Sequence, residues 1–309
     1  MFAKARVEVG FAASLLLAAA AADAQHGPEI PVFSAELALV KVTVSVEDSR
    51  GQPVPGLSSR DFVVREDGRE HPVAVCARAD DPAVDANLAL DLALLVDTSE
   101  SMLESLRLSQ QAAARFLTDI PHARDLLVVL FDQQRRVLHF DTDRPEELFA
   151  SLAAVPAGGN TALRDAIDAT LGGLRSRDGR SAMVLLTDGH DTVSRVLPAA
   201  LERTLQASPV TIFPIGIRGG DLDDDTAGEA YAFLEHVARL TGGRAYRLTQ
   251  EQSLPAVFSA ILADLRGQYV IGYVPTRSLS ENRYRKIRVE VKRRRGLKLR
   301  HRPGYRPLP

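Results

Sequence analysis

The chain has 309 residues, 45% hydrophobic and 25% charged, with a formal net charge of −2. This excludes a globally disordered chain, and the length suggests two domains. Charge is unevenly spread: residues 285–306 hold eleven Lys or Arg against the single acid Glu290, a local +10 that leaves −12 on the rest. The lone cysteine, Cys76, excludes an internal disulfide and any structural metal site that needs several thiolates.

Residues 1–24 read as an export signal. Lys4 and Arg6 precede a small or apolar run at 9–22, and Ala22-Asp23-Ala24 supplies a cleavage pattern before Gln25. The run is about 14 residues, short of the ~20 that span a bilayer. Cleavage after Ala24 predicts a protein released to the periplasm or secreted; an uncleaved membrane tether is the alternative. No later stretch is long and apolar enough to span.

A leader at 25–35 is followed by a β segment at 36–80. Val40, Val42, Val44 and Val46 alternate with Lys41, Thr43 and Ser45, the period of a half-buried strand. A second strand at 62–65 runs into the turn signal Asp67-Gly68 and returns through 73–75 as its hairpin partner. Cys76 reads as a small buried filler there. Asp80-Asp81-Pro82 marks a boundary.

From 88 to 266 strands and helices take turns. Strands are predicted at 88–96, 126–131, 183–186, 210–217 and 244–248, with 136–140 as an edge hairpin partner of the second. Helices are predicted at 101–117, 145–152, 162–174, 196–205, 230–240 and 254–265, the fifth stopping at Gly242-Gly243. Such alternation predicts an α/β domain with a mostly parallel sheet covered on both faces. Residues 268–309 return to β character. Each flanking β piece is too small to bury a core alone, so the two are expected to form one small β-sandwich with the α/β domain inserted between them. Arg285, Lys286, Arg288 and Lys292 are expected on the solvated face of an edge strand.

Three loops carry the chemistry. Asp97-Thr98-Ser99-Glu100-Ser101 follows the first buried strand, Gly158-Gly159-Asn160-Thr161 precedes a helix, and Thr187-Asp188-Gly189 ends the strand at 183–186. Ligands in open α/β sheets sit at the carboxyl ends of strands. Asp97, Ser99, Ser101, Thr161 and Asp188 would present two carboxylates and three hydroxyls on that rim. These hard donors suit Mg2+, which keeps waters and accepts an outside ligand, better than a carboxylate-rich calcium cage. Two acids neutralise the ion and leave a position open to a partner's Asp or Glu. Taken singly, Asp97, Ser101 or Thr161 would be read as a helix cap.

These residues resemble the metal-ion-dependent adhesion site of von Willebrand factor A domains: D-x-S-x-S at Asp97, then Thr161 64 positions on and Asp188 27 beyond that. The flanking segments, with Val54-Pro55-Gly56-Leu57 and Pro303-Gly304-Tyr305, are similar to exported bacterial proteins related to that family. The resemblance implies a Rossmann-like fold and Mg2+ or Mn2+ in preference to Ca2+. It further implies direct ligation by Ser99, Ser101 and Thr161, with the aspartates acting through water. Glu100, Asn160 and His190 would form a rim that selects the partner. The expected function is metal-dependent binding of a protein partner, not catalysis; the alternatives are an envelope-assembly scaffold that uses no metal and a hydrolase.

Other signals are weaker. Asp141-Thr142-Asp143 lacks the residue a phosphotransferase aspartate pair needs, since Pro145 stands there. The acidic stretch 221–225 lacks the Gly and Glu of an EF-hand loop, having Thr226 and Ala232 instead. No G-x-S-x-G elbow is present. The run Lys292-Arg293-Arg294-Arg295 is read as surface charge rather than as a nucleic-acid site, with contact to anionic glycan or lipid surfaces left open.

Overall fold

A computed structural model describes residues 2–4, 38–81, 90–120, 123–139, 145–174, 180–218, 223–248, 253–292 and 294–307. The expected export segment, apart from 2–4, the leader, and Asp141 to Asp143 lie outside the described residues. Among the described residues no helix is long and apolar enough to cross a membrane.

The flanking strands are β1 (Phe2–Lys4), β2 (Ala38–Glu47), β3 (Phe62–Glu66), β4 (Arg69–His71) and β5 (Val73–Arg78) before the α/β unit. After it come β12 (Tyr269–Tyr273), β13 (Arg285–Val291), β14 (Lys298–His301) and β15 (Gly304–Tyr305). They form two antiparallel sheets, β1-β2-β12-β5 with β14 also on β2, and β15-β13-β3-β4. Val40, Val42, Val44 and Val46 from one sheet share a core with Phe62, Val64, Ile287 and Val289 from the other. Inward-facing period-2 residues of two sheets make a sandwich core in this way.

Three expectations about these strands are corrected. The return strand from Asp67-Gly68 is β4, which pairs Val64 with His71; residues 73–78 switch sheets and pair with β12 as β5. Val75 is 46% exposed there and Cys76 half-buried, its thiol pushed up to about 11 by burial, so it is a poor nucleophile. Arg285 is 1% exposed, not solvated. It shares the parity of Ile287 and Val289 and therefore points inward, where it pairs with buried Glu66 at 3.2 Å. Lys286 and Arg288 do face solvent.

Within the α/β unit the strands are β6 (Leu90–Asp97), β7 (Ala123–Phe131), β8 (Arg135–His139), β9 (Arg180–Thr187), β10 (Thr211–Gly216) and β11 (Tyr246–Arg247). The helices are α1 (Leu106–Thr118), α2 (Pro145–Ala153), α3 (Leu163–Leu174), α4 (Pro198–Ala207), α5 (Asp224–Thr241) and α6 (Leu254–Gly267). The sheet order is β11-β10-β9-β6-β7-β8, parallel except for the edge strand β8. β6 is buried along its whole length because its side chains feed two cores. Leu92, Leu94 and Val96 meet α1 and α6, whereas Ala93 and Leu95 meet the α3 and α4 side.

The chain runs from β6 outward to β7 on one side and later returns to β9 on the other. The crevice where the winding direction reverses therefore opens between the carboxyl ends of β6 and β9. The helix expected from 101 begins later: a short 3-10 turn covers Glu100–Met102 and α1 starts at Leu106. The Ser99 amide bonds back to the Asp97 carboxylate, a local alternative to helix. α5 starts earlier than expected because Asp223 caps it through the Thr226 amide at 2.8 Å, and it ends at left-handed Gly242.

The sandwich is fastened to the α/β unit by polar bonds. Ser45 donates to Asp264 of α6 at 2.6 Å, Arg300 reaches the other Asp264 oxygen at 2.6 Å, and Arg244 holds Glu47 at 2.6 Å. The polar face of β2 is thus its docking face.

Candidate metal centre

The strand ends place the first two loops. Asp97 is the last residue of β6 and Thr187 the last of β9, neighbours in register one step beyond the Val96–Leu186 pair. Both are fully buried, and the Thr187 hydroxyl donates to Asp97 Oδ2 at 2.6 Å. The other oxygen, Oδ1, accepts the Ser99 amide at 2.9 Å and the Ser99 hydroxyl at 2.6 Å. Ser99 Oγ lies 3.2 Å from Ser101 Oγ, so D-x-S-x-S gathers three oxygen-bearing side chains around one point.

The third loop is stitched in from both sides. The Gly158 amide donates to the Thr98 carbonyl at 2.9 Å, and the Glu100 amide to the Gly159 carbonyl at 3.1 Å. Thr161 is held by the stretch after Asp188: its amide donates to Thr192 Oγ1 at 2.9 Å, and the Thr192 amide to its carbonyl at 2.9 Å. Thr161 is 3% exposed and Asp188 5%. Gly189 turns the chain away at φ +83°, and a Cβ there would lie 2.9 Å from the Ala230 carbonyl of α5. Only glycine satisfies both the left-handed backbone and this approach.

Two carboxylates therefore share a nearly dry crevice. Burial pushes the Asp97 carboxyl up to about 6, opposed by its bonds to Ser99 and Thr187 and reinforced by the charge of Asp188. Asp188 Oδ1 accepts the His190 amide at 2.9 Å, whereas its Oδ2 is buried without any hydrogen-bond partner. A buried carboxylate oxygen left unpaired beside a second acid is costly unless a proton or cation sits between them. Among the described residues no group of three or more His, Cys, Asp or Glu forms a metal cluster. The donor set here is instead two acids plus hydroxyls, which fits a hard cation that keeps part of its water.

All five residues expected to share the site lie on loops joined by these bonds. Glu100 and Asn160 are exposed and His190 is half-buried on the same loops. Sequence reasoning missed Thr187, which orients Asp97, and Thr192, which fixes Thr161.

A mostly parallel sheet with one antiparallel edge strand, covered by helices on both faces, is a Rossmann-like fold. The chain belongs to the von Willebrand factor type A domain family, whose model matches residues 91–260. Its structure is similar to the pilus adhesin SpaC of Lactobacillus rhamnosus GG in an open conformation, at 10% identity and TM-score 0.51, over 85% of this chain and 47% of that one. It is also similar to a von Willebrand factor type A protein from Catenulispora acidiphila, at 17% identity and TM-score 0.45, over 84% and 71%. An aerotolerance-related membrane protein from Bacteroides fragilis NCTC 9343 matches at 16% identity and TM-score 0.46, over 57% and 98%. No curated protein matches.

Proposed function

We propose that Asp97, Ser99, Ser101, Thr161 and Asp188 hold one Mg2+ or Mn2+, and that the loaded site binds a carboxylate of a protein partner outside the cytoplasm. The observation that carries this reading is Asp188 Oδ2, buried and unpartnered in a crevice that already holds a second acid. Two carboxylates balance a doubly charged ion, and neutral hydroxyls add donors without adding charge. When bound, such a cation supplies a coordination position that an outside carboxylate can fill.

The chain's own residues prepare this. Thr187 and the Ser99 amide hold the Asp97 carboxylate in its orientation through both of its oxygens. The Thr192 and Gly159 contacts hold the Thr161 loop against the first loop. Glu100, Asn160 and His190 stand around the opening and select among acidic partners. The work of the site is binding, not bond-breaking.

Calorimetric titration of the purified protein with Mg2+ and Mn2+ tests the proposal. Saturable uptake is expected, lost in Asp188→Ala, together with partner capture that a chelator abolishes. Absence of uptake, or uptake unchanged in Asp188→Ala, refutes the metal reading and leaves the scaffold alternative.

A further inference from the structure

A groove of about 940 Å3 runs between α1 and α2, at the upper end of the range for ligand sites. Its wall contains Leu103 and Leu108, which are 66% and 56% exposed, two large apolar side chains brought together on one groove. Arg107 and Arg115 also line it, and no acidic side chain does among the described residues. They lie eight positions apart on α1, about 12 Å along its axis, or roughly two helical turns.

One end of the groove meets the metal centre. Leu103 stands two residues after Ser101. Ala157, also in the wall, directly precedes Gly158, whose amide bonds the Thr98 carbonyl at 2.9 Å. A partner seated over the Asp97 loop thus extends naturally across Leu103 and along α1.

We infer that this groove docks an amphipathic helix of the protein partner, with apolar residues facing Leu103 and Leu108 and acidic residues two turns apart facing Arg107 and Arg115. Apolar contact gives such a helix its affinity, and the paired charges fix its register and direction. The inference rests on the proposed metal function only for where the partner's coordinating carboxylate lies; the groove and its charge stand independently of it.

The test uses the full chain and a panel of fluorescein-labelled 20-residue helical peptides, read by anisotropy in Mg2+. The parent peptide carries Leu at i, i+3, i+4 and i+7, flanking Glu residues two turns apart, and a terminal Asp extension. One control replaces Leu by Ser and another Glu by Lys. Saturable binding of the parent and not of the controls is expected, weakened at least tenfold by Leu108→Glu with Mg2+ uptake unchanged. The Arg107→Glu/Arg115→Glu variant should lose the parent and gain the Lys peptide, a charge swap that misfolding would not produce. No binding by any peptide, or equal binding to wild type and Leu108→Glu, overturns the inference. Loss in Leu108→Glu with no effect of chelator supports the groove and refutes the placement of the partner's carboxylate on the metal, while uptake by calorimetry decides the metal reading itself. A wild-type dimer that dissolves in Leu108→Glu makes the occupant a second copy and overturns the inference too.

Discussion

Thr187→Val is the sharpest probe of how the fold builds its site. The change keeps the β-branched shape of a side chain that is fully buried at the end of β9. It removes a hydroxyl that donates to Asp97 Oδ2 at 2.6 Å and accepts the Gly189 amide at 3.0 Å. A hydrogen bond to an ionised group contributes about 1.5–3 kcal/mol net, and an orphaned buried amide costs about 1–3 kcal/mol. The two losses do not simply add. Asp97, already at about 6, would move higher without its donor and escape part of the penalty by taking up a proton. The expected destabilisation is therefore about 2.5–4 kcal/mol, the lower half of the roughly 2.5–6 kcal/mol that the two losses would sum to. Metal uptake should weaken about 10- to 100-fold, as when a residue that orients a ligand is lost elsewhere. The chain has no Trp, so urea unfolding is best followed by far-ultraviolet circular dichroism, with Mg2+ titration in parallel. Thr187→Ser, which keeps the hydroxyl, should retain most of both properties. A Thr187→Val protein within about 0.5 kcal/mol of wild type, the scatter of neutral substitutions, and with Mg2+ affinity within twofold would refute the reasoning.

Two further predictions concern the sandwich. Glu66 accepts the Tyr273 and Tyr305 hydroxyls at 2.7 and 2.9 Å and pairs with Arg285. Arg285→Met strands that buried carboxylate and should cost about 3–5 kcal/mol in urea unfolding, with more than half recovered by adding Glu66→Gln; a loss under about 1 kcal/mol would show that the pair is not needed. His301 is held below its ordinary value by burial; Nε2 accepts the Val289 amide at 3.2 Å, so Nδ1–H donates to the Arg302 carbonyl at 2.6 Å. Because the folded state refuses a proton that the unfolded chain takes up, this stability is full above about 6.5 and declines as pH falls below it. His301→Gln should flatten the fall in urea midpoint between pH 7 and pH 5.5, and an unchanged fall would assign it to other groups.

The legible part of the site is the part carried by short local motifs, Thr161 included through Gly158-Gly159-Asn160-Thr161. Asp97, Ser99 and Ser101 converge because they are two apart on one turn, and Asp188 follows from a strand ending in Thr-Asp-Gly. Thr187 lies in that same tripeptide. Its role depends on β9 lying beside β6 in a register that sets it against Asp97, which no local pattern specifies. The partner of β5 is hidden for a similar reason: Val73–Arg78 can pair in either sheet, so only the tertiary choice between β3 and β12 decides it.

Arg285 teaches something different, because the signal was there to be read. In Arg285–Val291, parity puts Arg285 with Ile287, Val289 and Val291, and in Phe62–Glu66 it puts Glu66 with Phe62 and Val64. A charge on the inward parity of one strand calls for an opposite charge on the inward parity of its neighbour. The basic composition of this tail suggests a solvated Arg285, but its period-2 position places it inward. The same rule separates the buried Arg285 from Arg288, which is 76% exposed and pairs with Glu290 at the surface, although both belong to one run of positive charge. Basic residues near the end of this chain therefore act in at least two ways. Any account of the region as a uniform anionic-surface contact must first subtract those, like Arg285 and Arg300, that hold the fold together.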